Sequence, residues 1–160
     1  MRYGWFGILL VVSLGIQFML PQLWPPLRYV DFVLLLVFHA GRGSTARRSL
    51  LQGWLAGLAQ DLTLSTLYPL GLQATTKMLV GLVASVANRQ LNMDHLGVQM
   101  LLIFGLAGMN NWLMVGIFSV FGQVCPEQSG QYLWLGAAVT ALLNTPIWLV
   151  LQRERRPEMG

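Results

Sequence analysis

Residues 53–71 read GWLAGLAQDLTLSTLYPLG. Two glycines stand four residues apart, an aspartate follows after four more, and a Pro-Leu-Gly break closes the stretch. In water an aspartate here is ordinary. In hydrocarbon it is costly, and its presence needs a physical reason. The fold therefore turns on which solvent surrounds this segment.

Composition answers for hydrocarbon. Over 160 residues, 55% are hydrophobic and only 10% charged, with a mean hydropathy of +0.58. A soluble domain carries about 25% charged residues, so this chain has too few to cover a water-facing surface. Apolar runs of roughly 18–25 residues recur, each long enough for a bilayer core of about 30 Å. The expectation is an all-α polytopic membrane protein embedded in a lipid bilayer. The formal net charge of +4 would suggest nucleic acid in a soluble protein. Here the arginines lie between apolar runs, which is a topology signal, and no nucleic-acid partner is expected. Cys125 is the sole cysteine, so no internal disulfide or cysteine metal site can form. The apolar run up to Leu20 ends in Pro21-Gln22-Leu23-Trp24-Pro25-Pro26 without a small-x-small cleavage pattern, and reads as a retained first helix.

Six transmembrane helices are expected, over about residues 4–20, 29–40, 50–67, 72–87, 96–122 and 132–151. The second is short, and could cross with little tilt, re-enter, or extend through Pro26 and Leu27. Tyr68-Pro69-Leu70-Gly71 reads as a tight outer turn, since proline presets φ and glycine accepts a positive φ. Arg2, Arg42, Arg47, Arg48, Arg89, Arg153, Arg155 and Arg156 all fall at the termini or in the second and fourth linkers. The positive-inside rule then places both termini in the cytoplasm. Trp24 and Tyr68 outside, with Trp5 and Trp148 inside, suit interfacial belts or plain packing.

Gly53, Gly57 and Asp61 share one helical face. The glycines permit close approach of another helix, and Asp61 then points into the protein. A central aspartate costs about 2.5–3.5 kcal/mol on insertion scales, so a partner is expected. Lys77 is the natural one. Asp61 lies seven residues before Tyr68 and Lys77 six after Gly71, so each is roughly 9–10 Å below the turn. Such a pair is either an ion, proton or ligand element, or a structural clasp, and the clasp is the favoured reading. Asp31, near the outer interface, is expected to be hydrated and is the weaker candidate. Asn110, Asn111 and Asn144 can hydrogen-bond between helices and fix register. Gly105, Gly108 and Gly116, and Gly136 with Ala137 and Ala141, are further small-residue stripes for helix packing or a partner. His39 reads as an interfacial histidine beside Gly41-Arg42, and His95 sits in a linker.

The chain lacks His-Glu-x-x-His, Gly-x-Ser-x-Gly and a Gly-Lys-Ser/Thr phosphate loop. It shows no pair of catalytic aspartates in facing spans and no inverted repeat. Neither an enzyme, a cofactor nor a resident metal is expected.

The order of features resembles a known family. A Pro-Pro-x-x-x-x-Asp entry to the short second span is followed by a Gly-Arg linker, then Gly53-x-x-x-Gly57-Leu58-x-x-Asp61-Leu62, then Pro69-Leu70-Gly71. This is similar to MreD, the bacterial rod shape-determining membrane protein. Length, span layout and basic tail are similar throughout, and the specific match covers about residues 31–81. The chain departs from the family at Ser65-Thr66-Leu67-Tyr68, where a glycine and a shorter approach are usual. The resemblance implies a non-enzymatic scaffold of the cell-elongation machinery in the bacterial cytoplasmic membrane. It implies the bitopic protein MreC as direct partner, with MreB and the RodA–penicillin-binding-protein synthase reached indirectly. It also implies the layout of the S components of energy-coupling-factor vitamin transporters. That gives the alternative, a binding subunit of a small-molecule importer, which would hold a ligand in an outward-open pocket.

Overall fold

The segment FVLLLVFHA, residues 32–40, is apolar on every side until His39, and a helix of that kind is stable only when surrounded by protein or lipid. In the computed structural model it is surrounded by protein. The structure describes residues 3–23, 30–63, 71–91, 95–120 and 130–155. These form six helices and no strand: α1 Tyr3–Leu23, α2 Phe32–Arg42, α3 Ala46–Thr63, α4 Leu72–Gln90, α5 Leu96–Val120 and α6 Gly130–Arg155. The short α2 is the centre and touches all five others. Val33, Leu34, Val37 and Phe38 are essentially inaccessible. Two hairpins, α3–α4 and α5–α6, close around α2, and α1 leans on it.

The helix bounds depart from the expected spans where polar residues join a helix. α1 continues through Pro21 to Leu23, three residues past the expected end. α3 begins at Ala46 and takes Arg47 and Arg48 into its first turn. α4 runs on to Gln90 and includes Arg89. At about 1.5 Å per residue, the 11 residues of α2 extend only about 16 Å. By length and apolarity, two helices could cross a membrane, Gly4–Leu23 and Leu96–Val120. The expected third and fourth spans fall short of that measure because Gln52, Gln60, Asp61, Gln73, Thr76, Lys77 and Ser85 dilute them, yet every one of these is buried.

The α3–α4 hairpin is the tightest contact, and glycine makes it possible. A Cβ at Gly57 would lie 2.5 Å from Ala74 Cα, one at Gly53 2.9 Å from Met78 Cα, and one at Gly81 2.5 Å from the Ser49 carbonyl oxygen. No Cβ fits at such distances, so the two backbones meet directly. Gly41 extends the same seam onto α2, with Ala84 Cβ 3.0 Å from where its own Cβ would stand. Ala137 and Ala141 are buried on α6, and Gly108 on α5 faces the Trp134 ring. Gly105 and Gly116 take no part in the internal packing: both are exposed, with nothing within 4 Å of a Cβ.

Candidate functional site

An isolated charge buried inside a protein is expensive unless paired and hydrogen-bonded, so the partners of Asp31, Asp61 and Lys77 define what these groups do. Asp61 does not pair with Lys77, contrary to the sequence expectation. Its carboxylate caps the neighbouring helix instead. Oδ2 accepts from the backbone N–H of Gly71 at 2.9 Å and Ala74 at 3.1 Å, and Oδ1 accepts from Gln73 at 3.0 Å. The first N–H groups of a helix have no partner within it, and negative charge is favoured at that end. Gly71, the N-cap of α4, has φ +94° and carries no side chain that could cap. The role therefore falls to an aspartate from the preceding helix. Pro69 of the expected outer turn lies outside the described residues.

Lys77 is fully buried and its Nζ forms an ion pair with Asp31 Oδ2. It also donates to Asn110 Oδ1 at 3.2 Å. Asp31 keeps part of its side chain exposed and is also a junction between helices. Its Oδ1 caps α2 by accepting from Leu34 N–H at 2.8 Å, and its own N–H donates to Thr140 Oγ1 on α6 at 3.3 Å. The carboxylate and the ammonium tie α2, α4 and α5, and the Asp31 backbone N–H adds α6 at the same level.

A second polar layer lies at the other end of α2. Asn144 Nδ2 donates to Gln99 Oε1 at 3.3 Å, which leaves its Oδ1 to accept from His39 Nε2 at 2.7 Å. His39 is therefore held between helices, with its ring edge-on to Phe38. Thr140 and Asn144 are one turn apart on α6, so one face of that helix serves both layers. Asn111 is half-buried beside Asn110 and also has a partner. Beyond the second layer, Ser85 Oγ donates to the Ser44 carbonyl at 3.1 Å and Asn88 Nδ2 to the Arg42 carbonyl at 2.7 Å, joining α4 to the α2–α3 link.

Sequence reasoning missed Gly41, Gly81, Gln99 and Thr140. Gly81 had a legible signal, since Gly81, Ala84 and Ser85 repeat the small-residue spacing on α4. Gln99 and Thr140 had none, because single polar residues in apolar helices do not announce their partners. Chemically, the described groups donate to and accept from one another. Among the described residues no three His, Cys, Asp or Glu side chains gather to hold a metal. No protein-family model, curated protein or solved structure matches the chain.

Proposed function

We propose that this chain is a six-span integral protein of the bacterial cytoplasmic membrane, with both termini inside. In this reading it acts without catalysis as an MreD-like scaffold of the cell-elongation complex, supporting cell shape and lateral peptidoglycan synthesis. The observation that carries the membrane placement is an inverted distribution of polarity. Lys77, Asp61, Gln99, Asn110 and Asn144 are buried, while Trp5, Val11, Met19, Leu23, Leu101 and Val120 are between 64% and 84% exposed. Water would drive the opposite arrangement. In lipid, polar groups must be satisfied inside the protein while apolar side chains face out.

The scaffold reading rests on the run from Gly53 to Gly71 that resembles MreD, and on how Asp61 and Lys77 are used. Both hold helices together, as a structural clasp would. Because Gly53 and Gly57 are consumed by the α3–α4 seam, they are not offered to a partner. The outward face of α5 is. Leu101, Gly105, Trp112 and Gly116 are all exposed, and they fall within an arc of about 60° at about 100° per residue. A single transmembrane helix, as in MreC, could approach closely at the two glycines.

Affinity recovery of the tagged chain from its native membranes, with identification of co-recovered proteins, tests this reading. Recovery of MreC, lost on Gly105→Leu with unchanged thermal stability, is the expected result. Recovery of importer ATPase subunits, or of a tightly held small molecule, would replace the scaffold with the transporter alternative.

A further inference from the structure

The side of α3 that does not pack on α4 is an apolar face headed by two arginines. At about 100° per residue, Arg47, Arg48, Leu51, Trp54, Leu55 and Leu62 fall within an arc of about 120°, and all six are exposed. The first turn of α3 contains no acidic residue. Among the side chains the structure describes, Asp31 is engaged with Lys77 and Asp61 at the start of α4. The positive charge of Arg47 and Arg48 therefore has no described counter-charge.

From this charge and this face, and resting on the membrane placement proposed above, we infer that α3 binds an anionic phospholipid. Its phosphate lies against Arg47 and Arg48, and its acyl chains run along Leu51, Trp54 and Leu55. Both halves of the chemistry are needed. A guanidinium fork matches phosphate oxygens two at a time, and basic residues at headgroup depth attract anionic lipid. A free phosphate gains nothing from the apolar stripe, and a zwitterionic lipid gains little from the arginines. The dimensions agree as well. From Leu51 to Leu62 the stripe is about 16 Å long at about 1.5 Å per residue, close to one leaflet of a hydrocarbon core of about 30 Å.

The test uses the full chain in a neutral detergent. Thermal unfolding is followed while phosphatidylglycerol or phosphatidylcholine of the same acyl length is added, and native mass spectrometry counts retained lipid in a one-to-one mixture of the two. Phosphatidylglycerol is expected to stabilise at a molar ratio at least about tenfold lower, and to dominate the retained lipid. Arg47→Gln with Arg48→Gln abolishes this preference and keeps the phosphatidylcholine response, whereas Arg47→Lys with Arg48→Lys keeps most of it. Equal retention of the two lipids by the wild type overturns the inference without touching the membrane placement. So does stabilisation by inorganic phosphate alone, or an equal loss of preference in Arg89→Gln, which would indicate a diffuse field in place of a site. Recovery of the chain from cells without detergent, binding neither lipid, overturns the membrane placement itself. If the glutamine variant does not fold, the wild-type competition and the lysine variant decide the matter.

Discussion

Lys77 is paired with Asp31, 46 residues earlier in the chain, and not with Asp61 on the adjoining helix. The pair sits where α2, α4, α5 and α6 meet: Lys77 also donates to Asn110, and the Asp31 backbone N–H donates to Thr140. Because Lys77 is fully buried, removing its counter-charge alone leaves an uncompensated charge in the interior.

Asp31→Asn is therefore expected to cost about 3–5 kcal/mol of stability. Adding Lys77→Met removes the stranded charge and restores most of the loss. A double-mutant cycle on thermal unfolding in detergent measures the coupling. Additive effects of the two substitutions would show that the pair is not an energetic unit.

Gly57→Ala and Gly105→Ala are the same chemical change at opposite kinds of site. At Gly57 the new methyl meets the α4 backbone, 2.5 Å from Ala74 Cα, whereas at Gly105 it meets open space. Overpacking at Gly57 should cost about 1–3 kcal/mol or more, while Gly105→Ala should gain about 0.5–1 kcal/mol from reduced backbone freedom. Equal shifts in melting temperature would contradict the direct backbone contact of α3 with α4.

Asp61→Ala deprives three backbone N–H groups at the start of α4 of their acceptor, and should cost about 0.5–2 kcal/mol. Asp61→Asn keeps one oxygen and should cost less. Hydrogen exchange gives the specific readout. The amides of Gly71, Gln73 and Ala74 should lose protection in Asp61→Ala while those at the far end of α4 keep it. Protection unchanged at Gly71, Gln73 and Ala74 would contradict the cap.

Gln60 buries its side-chain oxygen without a hydrogen-bond partner and is 2% exposed. An unsatisfied buried acceptor costs about 1–3 kcal/mol, and methionine has nearly the same shape. Gln60→Met should thus raise stability by about 1 kcal/mol. A drop in melting temperature would mean that this oxygen has a partner after all.

Much of the fold is readable from particular residues. The unbroken apolar character of residues 32–38 implies a helix surrounded by protein or lipid, and only the packing shows that α2 is surrounded by protein. The Gly53/Gly57 spacing implies a close helix contact, and α4 supplies it. Gly71 implies a positive φ, and has one. Counting depth from the turn sets Asp61 level with Lys77 only if α3 and α4 leave it symmetrically, and the two helices are staggered instead. Gly53 stands beside Lys77 and Gly57 beside Gln73 and Ala74, so α3 runs about one turn past the start of α4. Asp61 is eight residues beyond Gly53 (61 − 53 = 8), hence about 12 Å from the level of Lys77, and overhangs the end of α4.

What the sequence alone determines is therefore local and periodic: helical segments, the faces that carry glycine, the positive-φ turn, and the shortage of charge that argues for lipid. Each depends on residues close together in the chain, whose relative positions the helix repeat dictates. Tertiary structure decided which groups meet across helices. Asp31 reaches Lys77, His39 reaches Asn144, and Asp61 serves another helix's N–H groups, because helix stagger and rotation are set by side-chain packing over the whole bundle. A stagger of about 12 Å along the helix axes makes Asp61 a helix cap and not the partner of Lys77, and no short run of residues encodes it.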